Sequence, residues 1–305
     1  MAEVELSITS AAASPSASGA SASGPTVEFT VRQCPSSAQP AGATASGPTV
    51  EFSIRGAPAD IIEQVAYWTM SFGGVAERYV DGVFDSTVTA PLTSGDHGYG
   101  LAIVGDEGWT LHYGYDPDYE PGIIRFALSD GTVAEDVRWS DTSWFPDWIA
   151  WDGSTMWVAE VVNAQTEVGI YTVDLSTGAK TLECTLGAPP DIVSGASDLW
   201  GTGMHWVSGE LWIPSGIAAA TSGSRYGLNR INTSTGAIAE TVTLLDEYSS
   251  GQRLQVSGLA HDGTNWLVGS SNGSETKTVV VDSSGALVEV HDRNTSASAS
   301  GMDVE

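Results

Sequence analysis

WDGSTMWVAE (151–160), followed by YTVDLSTGA (171–179), decides the fold of this chain. An Asp-Gly turn leads into an apolar strand centred on Trp157, and a second strand closes on a Ser/Thr turn ending in Gly178. The same unit returns as VSGELWIPSG…NRINTSTGA (207–237), as HDGTNWLVGS…VVVDSSGAL (261–287) and, more worn, as VGDEGWTLHYG…IRFALSDGT (104–132). The closing glycines Gly131, Gly178, Gly236 and Gly285 are spaced by 47, 58 and 49 residues. Counting back 49 from Gly131 lands on Gly82 in RYVDGVFD, a fifth and fainter copy. A period of about 40–50 residues, with about four strands in each, is the signature of a β-propeller.

The expected fold is therefore all-β, a five-bladed propeller over residues 57–293. Its blades run near 57–92, 93–140, 141–186, 187–245 and 246–293, and a sixth follows if 187–245 hides another pair of strands. ADIIEQVAYW (59–68) reads as a short helical turn passing into a strand, and ERYVDGVFDSTVTAPL (77–92) as a hairpin. The strands nearest the axis are YGLAIV (99–104), DWIAW (147–151), TGMHWV (202–207) and SGLAHD (257–262). Trp109, Trp157, Trp212 and Trp266 recur in register and should fill the wedges between blades.

Residues 1–56 hold a different repeat. Val4, Val27 and Val50 open alternating strands (VELSI, VEFTV, VEFSI) at a period of 23, separated by Ala/Ser/Gly/Pro stretches. Such strands are too short and too far apart to form a stable sheet alone, so they are expected to pair with other copies or other proteins. Residues 294–305 form a C-terminal tail whose SASASGMDVE echoes ASASGPTVEF (20–29), as if both ends met in one shaft.

There are 38 acidic residues against 11 basic ones, only two of them lysine, and the net charge is −27. Carboxylate-rich, lysine-poor surfaces suit high salt, where like-charge repulsion is screened within ~3 Å at 1 M. That reading makes the chain halophilic and removes nucleic acid as a partner, because phosphate binding needs a basic patch. Cys34 and Cys184 lie 150 residues apart and suggest neither a disulfide nor a metal site. MAEVELSITS has no basic start and no apolar run, so no signal peptide is expected, and no stretch is apolar enough to span a membrane.

The loops feeding the inner strands carry the candidate chemistry: Asp96 and His97; Asp141, Trp144, Asp147 and Trp148; Asp198 and Trp200; Arg253. Tryptophans outside the core register beside carboxylates suit sugar binding, the ring covering C–H groups and the carboxylates taking hydroxyls. The alternative is that these tryptophans cap the core. Asp96, Asp147 and Asp198 stand at comparable places in successive blades, so a glycosidase or lyase using them is the enzymatic alternative. Asp116, Asp118 and Glu120 alternate in YDPDYEPG (115–122) and could hold Ca2+ or Mg2+; otherwise no cofactor is expected.

The copies at 151–179 and 261–287 resemble the WDGxxLWV…VDxSTG pattern of NHL-like and YVTN-like propellers, over about 235 residues. That resemblance implies fold and leaves function open. The whole layout resembles a virion surface protein of a haloarchaeal tailed virus, a capsid turret or tail fibre. The resemblance implies a homo-oligomer, trimer or pentamer, held with other virion proteins through residues 1–56. It implies a head that meets a host-surface glycan or S-layer glycoprotein, made in the host cytoplasm and displayed on the virion. A cytoplasmic scaffold of a halophile is the remaining alternative.

Overall fold

The computed structural model describes residues 64–92, 96–114, 120–139, 146–162, 167–187, 199–200, 203–216, 226–245, 247–250, 252–254, 256–271, 276–294 and 299–305. The chain divides into the units Met1–Ile61 and Ile62–Glu305, and every described residue belongs to the second. Residues 1–56, with their expected strands, lie outside the described residues.

Blade one contains β1 (Ala66–Ser71), β2 (Val75–Val80) and β3 (Val83–Thr89). Blade two is β4 (Asp96–Val104), β5 (Glu107–Gly114), β6 (Gly122–Ala127) and β7 (Val133–Arg138). Blade three is β8 (Pro146–Trp151), β9 (Met156–Val162), β10 (Glu167–Val173) and β11 (Lys180–Leu186). In blade four the inner strand comes in two pieces, β12 (Leu199–Trp200) and β13 (His205–Val207), both paired with β14 (Glu210–Gly216), which continues to β15 (Gly227–Asn232) and β16 (Ala237–Thr243). A small hairpin, β17 (Glu247–Ser249) and β18 (Gln252–Arg253), precedes blade five. Blade five is β19 (Val256–His261), β20 (Trp266–Ser271), β21 (Thr276–Val281) and β22 (Leu287–Asp292).

The last strand, β23 (Ala299–Val304), returns to blade one and pairs antiparallel with β1, so that sheet reads β23-β1-β2-β3. This corrects the expected tail: residues 299–304 are the inner strand of the first blade. The first copy is about 35 residues long in sequence because its innermost strand comes from the other end of the chain. The inner strands touch in the order β23, β4, β8, β13, β19 and back to β23, so the ring is closed with five blades. No sixth blade lies in 187–245 among the described residues, and the described part of ADIIEQVAYW is strand from Ala66 onward.

The repeat makes physical sense position by position. Each closing glycine has positive φ, from 69° to 82°, a region L side chains rarely adopt. Each also abuts the outer strand of the preceding blade: a Cβ on Gly285 would stand 2.2 Å from the Thr243 carbonyl oxygen, and one on Gly82 2.5 Å from the His291 ring. The glycine therefore serves the turn and the close approach of blade to blade. Trp109, Trp157, Trp212 and Trp266 are all buried between blades, as is a fifth, Trp68.

In three blades an arginine stands directly across from that tryptophan: Trp68 opposite Arg78, Trp109 opposite Arg125, Trp212 opposite Arg230. Each arginine bridges two carboxylates: Arg78 to Asp85 and Glu305 (both 2.7 Å), Arg125 to Glu107 and Glu135 (3.2 and 3.3 Å), Arg230 to Glu210 and Glu240. The few cations of an acidic chain are thus placed where they tie strands together. The outer strands remain open edges, and a bulge in each, with carboxylates such as Asp85, Glu135 and Glu240, discourages pairing with another chain.

Glu305 latches the closing strand. Arg78 donates to both of its oxygens (2.7 and 2.8 Å), and the Trp68 indole donates to Oε1 at 2.7 Å. The Arg78 hydrogen bond holds the Glu305 carboxyl below the usual carboxylate range. Its contribution is present at neutral pH and is lost as pH falls through that lowered value. Glu305→Gln is expected to cost about 1 kcal/mol at pH 7, since the pair is partly exposed. The cost should shrink below about pH 4, read as the difference in thermal unfolding between the two proteins.

Candidate functional site

Strand direction alternates within each blade, so the connections sort onto two faces. First-to-second and third-to-fourth connections are tight turns such as Gly105–Asp106, Asp81–Gly82 and Ser208–Gly209, and together they make a turn face. The strand ends that lead into second-to-third and blade-to-blade connections lie at the opposite, loop face.

The described centre of the loop face is an aromatic ridge. Phe72, in the turn after β1, is 38% exposed and meets the Tyr99 ring edge-on, centroids 5.3 Å apart at 71°. The His97 ring also meets Tyr99 edge-on, at 6.5 Å and 70°. The ridge is fixed from below, because Gly98 N–H donates to the Phe72 carbonyl at 3.0 Å. Asp147, half-buried, is the second residue of β8. β4 reaches β8 so closely at Gly100 that a Cβ there would lie 2.9 Å from the Ile149 nitrogen, which sets Tyr99 and Asp147 on neighbouring strands at one level. Such a surface can cover the apolar face of a pyranose while a carboxylate takes a hydroxyl.

Of the residues the sequence singled out, His97 and Asp147 belong to this region. Asp96 opens β4 and Arg253 ends β18, but their side chains lie outside the described set, as do Asp116, Asp118, Asp141, Trp144 and Asp198 in full. The geometry of an Asp96–Asp147–Asp198 catalytic group therefore falls outside the described residues. Glu120 is exposed, and its carbonyl accepts a bond from Arg138 at 3.2 Å. Among the described residues, no three His, Cys, Asp or Glu side chains are grouped to hold a metal.

Two candidates change character. Trp148 and Trp200 are each 1% exposed and pack in the core between blades three and four, the Trp200 indole donating to the Gly187 carbonyl at 3.0 Å. Their faces are covered by Ala150, Val168, Leu186 and Met204 and are closed to a ligand. Phe72 and Tyr99 went unread. The signal for Phe72 was a lone phenylalanine in an otherwise small turn, SFGG (71–74).

A second polar group sits in the seam between blades five and one. The Tyr67 hydroxyl lies 3.1 Å from His291 Nδ1, Tyr79 donates to buried Glu77 at 2.8 Å, and Arg293 donates to Thr69 at 3.0 Å. Arg293 Nε and Nη1 and His291 Nε2 are buried there without a hydrogen-bond partner among the described residues.

The five sheets closed into a ring define a five-bladed β-propeller. No protein-family model matches the chain, and no curated protein does. Among solved structures it is similar to the glutaminyl cyclase of Myxococcus xanthus (TM-score 0.42, 14% identity, 67% of this chain covered). It is also similar to TolB from Acinetobacter baumannii (TM-score 0.45, 14% identity, 79% of this chain covered). The chain spans 73% and 66% of those two proteins, respectively.

Proposed function

We propose that this chain is a structural, adhesive protein that anchors through residues 1–56 and presents the loop face of its propeller to a host-surface glycan or S-layer glycoprotein. The setting is the surface of a haloarchaeal tailed virus, as a capsid turret or tail fibre, in a homo-oligomer. The observation that carries the reading is where the chain joins the wheel. Val65 is bonded through its N–H to Asp81 Oδ1 (3.0 Å) and through its carbonyl to the Asp81 N–H (2.9 Å), both in a turn of the turn face. Val65 thus lies on the turn face, and the aromatic ridge of Phe72 and Tyr99 stands on the opposite, loop face.

In molar salt, charge acts only over a few ångströms, so recognition rests on short-range contacts such as those of Phe72 and Tyr99. Many copies on one particle would turn weak single contacts into firm attachment. The test is binding of the full chain to purified haloarchaeal S-layer glycoprotein in molar NaCl, before and after its glycans are removed. Binding that deglycosylation abolishes, and that Phe72→Ala weakens about tenfold at unchanged melting temperature, is expected for one aromatic contact of ~1.4 kcal/mol. Absence of binding, or binding indifferent to the glycan, refutes the glycan assignment. A monomeric mass for the full chain in molar salt refutes the oligomer.

A further inference from the structure

The inner strands share a short pattern that sets a layer across the axis. Each of Gly100, Gly203, Gly258 and Gly301 lies against a neighbouring strand, and two residues further on stand Ala102, His205, Ala260 and Asp303. β8 supplies Ala150 in the same register. Three positions of this layer, Ala102, Ala150 and Ala260, are thus small and buried, and the other two, His205 and Asp303, are titratable. His205 Nδ1 of blade four lies 3.3 Å from Asp303 Oδ1 of blade one, past Ala260 of the blade between them. Both side chains are only 11% exposed.

The surroundings decide the charge. Asp303 Oδ2 accepts the Ile103 N–H at 2.6 Å from β4, and Oδ1 accepts the Val304 N–H at 2.9 Å. Across β1 its pair is Trp68, which is uncharged. Glu305, the nearest carboxylate along the chain, is turned to Arg78. On β19, His261 accepts the Gly263 N–H at Nδ1 and sits edge-on to Trp266, and burial disfavours its charged form too. No cation faces the pair from these elements, and two isolated charges here would lose their hydration with little in return. Burial raises the Asp303 carboxyl far above its usual range and lowers the His205 imidazole far below its own.

We propose that folding moves one proton across the axis, from the imidazole of His205 to the carboxyl of Asp303, so that a neutral O–H···N bond closes the hub. The N–H bond of the imidazolium breaks at Nδ1, an O–H bond forms at Oδ1, and His205 is left as the tautomer protonated at Nε2. Between roughly pH 4 and 6.5 the unfolded pair also holds one proton, on histidine. Folding then changes the position of the proton and leaves the count unchanged, so ring closure is insulated from pH in that window. Just above it folding takes up a proton from water, until the Asp303 carboxyl, raised to about 7, itself ionises.

Single substitutions should expose two opposing slopes that cancel in the intact pair. In Asp303→Asn the remaining histidine binds its proton only when unfolded, so stability rises with pH. In His205→Gln the remaining carboxyl is protonated only when folded, so stability falls with pH. Each slope, taken relative to the unsubstituted chain at fixed salt, approaches tenfold in the folding constant per pH unit between about 4 and 6.5. NMR of the unsubstituted full chain, labelled at histidine nitrogen and aspartate carboxyl carbon, needs no variant to fold. At pH 5 it should show His205 neutral with the proton on Nε2 and the Asp303 carboxyl protonated. An imidazolium at His205 at pH 5, or variant slopes of the same sign, overturns the proposal.

Discussion

Removal of residues 299–305 is expected to abolish the folded wheel. β23 is bonded along its length to β1, from Tyr67 opposite Val304 to Ser71 opposite Ala299. It brings Met302, 2% exposed, into the joint between blades five and one, where Met302 packs with Tyr67, Tyr79, Ala260 and Leu267. Gly301 meets blade two so closely that a Cβ would lie 2.3 Å from the Gly100 carbonyl carbon, Asp303 fills the hub, and Glu305 latches to Arg78. Burying Met302 alone contributes ~1.5–3 kcal/mol. The truncated chain would also expose β1 and the inner faces of blades two and five, with their backbone donors and acceptors unpaired. Against a total of ~5–15 kcal/mol for a domain, these losses are decisive. Near-ultraviolet circular dichroism and calorimetry of the truncated chain should show no cooperative transition; a transition at the unaltered temperature would mean that β23 does not close the ring.

Trp148→Ala should cost about 3–5 kcal/mol, the range for removing a fully buried tryptophan. The side chain packs with Trp200, Leu186 and Met204 in the joint between blades three and four, a close-packed core in which the lost volume leaves a cavity. Trp200→Ala should behave similarly, with the added loss of its bond to the Gly187 carbonyl. Denaturant unfolding measures the cost, and a midpoint shift at constant slope is the expected form. A ligand-facing role would give the opposite result, with stability nearly unchanged and binding lost. The contrast with Phe72→Ala, where binding falls and stability holds, separates core from site on one wheel.

Much of the wheel could be read without coordinates, because its determinants are local. The Asp-Gly turns, the Trp strands and the closing glycines each act within a few residues, so their recurrence counts the blades and places Trp109, Trp157, Trp212 and Trp266 in the core. Candidate site residues fared differently. Trp148 and Trp200 are the same residue type as any sugar platform, and nothing within a few positions says which side of the strand the blade beside it will cover. The Arg78, Arg125 and Arg230 bridges were equally silent, since each joins residues on separate strands.

The sequence alone determined the repeat, the class of fold and the residues that turn and fill each blade, since these depend on backbone preference and side-chain volume over short spans. Tertiary structure alone decided that SGMDVE (300–305) is the first blade's inner strand, that Asp303 meets His205 across the axis, and that Phe72 and not Trp148 faces outward. Those outcomes depend on ring closure. It brings together positions more than 200 residues apart along the chain, such as Met70 and Gly301, and burial, unlike turn chemistry, is a property of what the far partner covers.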